Sequence, residues 1–142
     1  MTRPTIRRDI AEWVLSMPVA IALGFQYDYL HDGTCTTRLT WRREHSHAPG
    51  VFQASPIGAL ADFTGASAAM STQPTRTAAL TLDYTLKLLA EARGDTLTAH
   101  GRVLRAGSVT VAVVDLHALT ATTRIHCATA LVTTRLLLSE PG

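Results

Sequence analysis

The sequence predicts an α+β domain in which one long helix is wrapped by an antiparallel sheet, on three observations. The 142 residues include 21 Ala and 21 Thr but only 17% charged residues. Thr favours pleated sheet, and Ala enters a helix at little cost. The segment 56–71 is apolar or small nearly all round, as a helix buried on most sides must be. Four long strand-like segments follow it in succession, which suits an antiparallel meander. A chain of this length forms one domain and can bury a core.

The elements follow in order. Over residues 9–17, Ile10, Trp13, Val14 and Met17 recur at helical spacing, with Asp9 as the expected N-cap and Pro18 as the stop. Residues 24–30 and 34–42 read as strands joined by His31-Asp32-Gly33, since Asp-Gly between alternating segments signals a hairpin. Residues 44–50 read as loop. The long helix is expected to begin with Ser55 as cap and Pro56 in its first turn, where a missing N–H costs nothing. The four remaining strands are expected at residues 77–88, 95–105, 108–121 and 124–137. They are separated by Arg93-Gly94, Ala106-Gly107 and Thr122-Thr123. The N-terminal helix around Trp13 is expected to cover a sheet edge or the mouth of a pocket.

Composition excludes several classes. Twelve Arg and one Lys, Lys87, are scattered and nearly balanced by 11 acids, so no positive stripe for a nucleic acid forms. Cys35 and Cys127 are distant, with no CxxC, which favours reduced thiols in a cytoplasmic protein. Arg7-Arg8 precede an apolar run over residues 14–25, but Asp9 and Glu12 interrupt the basic region, Pro18 breaks the run, no small-residue cleavage site follows, and the run is too short to span a bilayer. His45-x-His47 has half the spacing of a metal site, but no Cys, His or Glu cluster stands near it, so no metal is expected. His100, His117 and His126 fall on strands as hydrogen-bonded or exposed residues. Ser67 and Ser71 lack an obvious His/Asp partner, and G-x-S-x-G, G-x-G-x-x-G and the P-loop are all absent.

One charge stands inside the long helix. Ile57, Leu60, Ala61, Thr64 and Ala68 form its core stripe, and Asp62 lies on the Gly58/Gly65/Ala69 side. Burying an unpaired carboxylate costs several kcal/mol (order of magnitude), so such a residue either meets a partner, such as an Arg at a subunit contact, or performs chemistry. Gly58 and Gly65 each cost the helix roughly 1 kcal/mol relative to Ala. Their expected compensation is room beside the carboxylate for a slender substrate.

The residues Gly50-Val51-Phe52-Gln53-Ala54-Ser55, Gly58-Ala59-Leu60-Ala61-Asp62 and Gly65-Ala66-Ser67-Ala68-Ala69 resemble the hotdog-fold acyl-CoA thioesterases of the phenylacetate-degradation (PaaI-like) type. That family reads G-x-x-[HQ]-G-G-x-x-x-x-L-A-D-x-x-x-G-x-A-A. Residues 94–107, beginning Gly94-Asp95-Thr96-Leu97, resemble its G-D-x-L-x-A-x-G-x-V-x-R-x-G strand pair. The resemblance implies a hotdog core over residues 18–137 behind an N-terminal helix over 1–17. It further implies a homodimer or dimer of dimers with active sites between subunits, acyl-CoA as substrate and no cofactor.

By position, Asp62 matches the catalytic carboxylate and Ala54 the backbone N–H of the oxyanion hole. His47 and Gln53 match polar aids, and Ser55, Gly58, Gly65 and Arg105 line the substrate. A carboxylate beside a thioester can take a proton from water or attack directly, and a helix N-terminus suits the resulting oxyanion. Two departures stand out. Ala54-Ser55 replaces Gly-Gly, which would strain Ala54 if the turn needs positive φ. Leu86-Lys87-Leu88-Leu89 replaces the Arg-Pro that usually follows the third strand. Lys87, Arg102 and Arg124 are weaker candidates than Arg105 for coenzyme A phosphates. The alternative function is a non-catalytic acyl or acyl-CoA binder with an impaired oxyanion hole. A hotdog dehydratase or hydratase ranks last, because the long helix carries no His.

Overall fold

The structure, a computed structural model, describes residues 5–137. The order is α1 (Arg8–Leu15), α2 (Pro18–Leu23), β1 (Gln26–His31), β2 (Thr34–Thr40), a 3-10 turn (Arg43–His45), α3 (Ala54–Met70), β3 (Ala78–Leu88), β4 (Thr96–Arg105), β5 (Val109–Leu119) and β6 (Arg124–Leu137). The six strands form one antiparallel sheet in the order β1-β2-β4-β5-β6-β3, and α3 lies across it.

Local chemistry sets the boundaries. The β1–β2 hairpin turns at Asp32 and Gly33 with φ of 49° and 82°, the two positive values that a two-residue turn matched to strand twist requires. Asp9 is not the cap of α1. Arg7 holds that place, and Asp9 in the first turn pairs with its guanidinium at 2.9 Å. Pro18 does end α1, but it also opens α2, a short helix that the sequence reading did not anticipate. Pro supplies a helical φ and needs no donor there. Gly24 closes α2 at φ 80°, where the Arg42 guanidinium donates to the carbonyls of Ala22 and Leu23.

The long helix starts earlier than expected. Gln53, not Ser55, is its cap, and the Gln53 side-chain oxygen accepts from the Ser55 N–H at 2.6 Å. Pro56 then falls third in the helix, still within the turn whose N–H groups have no intrahelical acceptor.

The four later strands do not form a simple meander. β4, β5 and β6 do, but β3 pairs with β6 at the far edge, with a bulge at Leu82. The reason is α3, which carries the chain across the inner face of the sheet before β3 begins. Close approach of helix and sheet depends on two glycines. A Cβ on Gly65 would sit 2.6 Å from Val132 Cβ, and one on Gly101 would sit 3.1 Å from Thr64 Cγ2. Leu60, Ala61, Thr64 and Ala68 are thereby fully buried against Leu97, Ala99, Val114 and Val132.

The two edges of the sheet differ. Near β1 the chain start runs alongside, Arg7 N–H donating to Leu30 and Leu30 N–H to Thr5. β3 is exposed along nearly its whole length, with Leu80, Leu82, Tyr84 and Leu88 each about half exposed.

Candidate active site

Asp62 sits midway along α3 and is partly buried. The Thr81 hydroxyl of β3 donates to its Oδ1 at 2.6 Å. Among the described residues of one chain no Arg, Lys or His forms an ion pair with it. Burial pushes its pKa above the ordinary aspartate value, and the Thr81 hydrogen bond pulls part of the way back. A carboxylate raised in this way is a better proton acceptor than a solvated one.

The residue opens into a cleft of ≈ 230 Å³ between α3, the N-terminal helices and β3. Trp13, Met17, Phe63, Met70 and Ala79 give it apolar walls, with Ser67 and Thr81 as polar members. The helix around Trp13 thus covers the mouth of this cleft rather than a sheet edge. Arg76 stacks over the Trp13 ring with its guanidinium carbon 4.9 Å from the centroid. Thr81 carries no sequence signal of its own, because a Thr on a strand is also what β propensity alone provides.

A second cleft of ≈ 310 Å³ lies at the N-terminus of α3, lined by His47, Gln53, Ala54, Ile57, Leu88 and Glu91 among others. Three of the residues singled out from the sequence meet here. Ala54 is the first residue of the helix, and its φ is not positive. Alanine at this place is therefore unstrained. Among the described residues its N–H meets no acceptor, and the helix dipole adds positive potential at this end. Gln53 is committed to capping Ser55. Glu91, which the sequence reading did not single out, is paired with Arg93 at 2.9 Å.

The two clefts share no lining residue. Eight residues along α3 rise roughly 12 Å, so one chain does not bring Asp62 and the Ala54 N–H to a single thioester. Both clefts nevertheless flank β3, Ala79 and Thr81 at its beginning and Leu88 at its end.

The remaining candidates lie elsewhere. Gly65 packs on Val132, which accounts for its missing side chain without a ligand, and Gly58 faces Tyr84 and Leu86 of β3. Neither lines the Asp62 cleft. Ser55 is exposed at the start of α3. Arg105 is exposed at the end of β4, separated from β3 by β5 and β6.

His45 and His47 do not share a site. His45 is 4% exposed, donates from Nε2 to the Leu23 carbonyl at 2.8 Å and stacks on Phe52. It ties α2 to the segment before α3. On the outer face of the sheet, His100 is bonded to Thr36 and His126 to Asp115, while His117 stacks on His126. Cys35 and Cys127 are buried and unpaired. No described helix is long and apolar enough to cross a membrane.

Comparison with family models finds no match, and no curated protein matches the sequence. Solved structures do match. A thioesterase family protein from Silicibacter pomeroyi superposes with a TM-score of 0.86 at 22% identity, covering 93% of this chain and 98% of its own. The E. coli PaaI protein from the phenylacetic acid degradation operon gives 0.78 at 19% identity over 93% of both chains. A hypothetical thioesterase protein from Streptococcus pneumoniae, determined with coenzyme A, gives 0.71 at 17% identity over 86% of this chain and 94% of its own. Identities this low speak to architecture, and the architecture agrees throughout: this chain has the hotdog fold of the thioesterase-family structures.

Proposed function

We propose that the protein hydrolyses acyl-CoA thioesters, with Asp62 as general base or nucleophile, at a site completed by a second copy of the chain. The observation that carries this reading is the pair of clefts at opposite ends of an open edge strand. One holds a carboxylate of raised pKa with no cation paired to it among the described residues of its own chain, and the other holds an unstrained N–H at a helix N-terminus that meets no acceptor there. Antiparallel pairing of two β3 edges about a two-fold axis sets the beginning of one strand beside the end of the other. Asp62 of one chain then faces Ala54, His47 and Gln53 of its partner. The likeness to thioesterase-family structures, one of them with coenzyme A, supports the same reaction class.

In the reaction the thioester carbonyl oxygen accepts from the Ala54 N–H. Asp62 takes a proton from water as the water oxygen attacks the carbonyl carbon, or its own oxygen attacks to give an anhydride that water then opens. The tetrahedral oxyanion collapses, the carbon–sulfur bond breaks, and the thiolate leaves as coenzyme A after protonation. Alanine at 54 retains the N–H in a helical conformation, which favours hydrolysis over the binding-only alternative.

Thiol release from a panel of acyl-CoA substrates tests the assignment. Asp62→Asn is expected to lose roughly 10²- to 10⁴-fold in kcat, the usual contribution of a positioned base. Equal activity of wild type and Asp62→Asn would remove Asp62 from the mechanism. Absence of turnover across the panel, with tight binding of the same compounds, would instead select the binder.

A further inference from the structure

Resting on the thioesterase reading above, we propose that Ser67 and Tyr27 select acyl groups whose far end carries a hydrogen-bond acceptor. The observation is a proton without a destination. Tyr27 Oη and Ser67 Oγ lie 2.6 Å apart, both buried, and Ser67 lines the otherwise apolar end of the Asp62 cleft with Phe63, Ala66 and Met70. Two hydroxyls bring two protons, and their mutual hydrogen bond uses only one.

Neighbouring hydroxyls on α3 show how the second proton is ordinarily placed. Thr64 donates to Leu60 O at 2.7 Å, so when Thr37 donates to Thr64 at 2.7 Å both protons of that pair are used. Ser71 donates to Ala68 O and Thr72 to Ala69 O in the same manner. Ser67 makes no such bond to its own helix, and Tyr27 Oη has no other partner among the described residues. A phenol is the stronger donor of the two, so Tyr27 donates to Ser67 and the Ser67 proton is left for the cleft. Burial pushes the Tyr27 phenol up, which keeps it a neutral donor.

The spacing defines the class of acyl group. Five residues of α3 separate Ser67 from Asp62, a rise of about 7.5 Å. Four carbon–carbon bonds of about 1.5 Å, zigzagged at tetrahedral angles, advance about 5 Å, and one hydrogen bond of roughly 2.8 Å closes the rest. An oxygen on about the fifth carbon from the thioester, as hydroxyl, ketone or ether, therefore reaches Ser67. A purely hydrocarbon chain of the same length leaves the donor unpaired, which is where discrimination arises.

Two unhydrolysable thioethers, S-hexyl-CoA and S-(5-oxohexyl)-CoA, separate the cases by calorimetry. Wild type is expected to bind the oxo compound roughly 3- to 10-fold more tightly, the worth of one neutral hydrogen bond. Ser67→Ala is expected to erase that preference without weakening the hexyl compound. Tyr27→Phe/Ser67→Ala, which removes both hydroxyls and leaves no orphan, is expected to do the same. Equal binding of the two thioethers by wild type, or a preference that survives either variant, overturns the proposal while leaving the thioesterase reading intact. If wild type binds neither compound, both fall together.

Discussion

Asp62 is held between two opposing influences, the apolar cleft that disfavours its charge and the Thr81 hydroxyl that stabilises it. Removing the second should unmask the first. Thr81→Val is expected to move the acid limb of the kcat/KM profile to higher pH, and Thr81→Ser, which keeps the donor, to leave it in place. Unchanged limbs in both variants would show that Thr81 does not act on the carboxylate. Stability responds to the same shift. Folding raises the Asp62 pKa above 3.8, so the folded chain holds this proton more firmly than the unfolded one does. That advantage is complete below the unfolded pKa of about 3.9 and is lost as pH rises through the folded value. Asn has no charge to lose. Asp62→Asn is therefore expected to raise Tm at pH 7, with the gain over wild type shrinking as the pH falls. A Tm at pH 7 below that of wild type would contradict the desolvation account.

At the scale of elements, α3 is legible because its composition leaves little choice: Ala, Gly and Leu on every side imply burial, and a lone Asp among them draws notice. Its contact with the sheet is not legible. Gly65 suggests an opening for substrate when read beside Asp62, yet in three dimensions it meets Val132, a residue 67 positions later. Periodicity on one element does not say which strand lies opposite. The place of β3 is not legible for a similar reason. Sequential strands usually pair, and only the traverse of α3 across the sheet sends β3 to the far side of β6. Thr81 of β3 and Tyr27 of β1 each meet a residue of α3, Asp62 and Ser67, only through tertiary packing, so neither has a local signature. The packing explanation of Gly65 is testable by a double-mutant cycle. Gly65→Ala is expected to destabilise by about 1–3 kcal/mol through overpacking, measured by urea unfolding. In a Val132→Ala background the same change should cost clearly less. Additive effects would mean that the glycine serves something other than this contact.

For the whole molecule, the decisive question is whether the reaction site belongs to one chain or to two. An exposed edge strand with Leu80, Leu82 and Tyr84 on view is a surface that proteins ordinarily cover or charge, and β3 here carries only Asp83 and Lys87 as charges. Pairing β3 with its copy both covers it and joins the two clefts. Subunit mixing distinguishes the cases. Ala54→Pro removes the proposed oxyanion donor at the first position of α3, where Pro is well tolerated. Gln53 before it is already extended at φ −77° and ψ 156°, and the N–H that is lost has no acceptor among the described residues. Asp62→Asn removes the carboxylate. Each homomer should be inactive. In a heterodimer whose sites draw Asp62 from one chain and Ala54 from the other, one site is doubly mutated and the other is fully wild type. Equimolar exchange gives half heterodimers, so the mixture should recover about a quarter of wild-type activity. A site contained within one chain would recover none, because every chain in the mixture lacks one of the two groups. Activity that stays at the level of the separate variants, with exchange verified by mass spectrometry of the intact oligomer, would return the site to a single chain and leave the open edge of β3 without its proposed role.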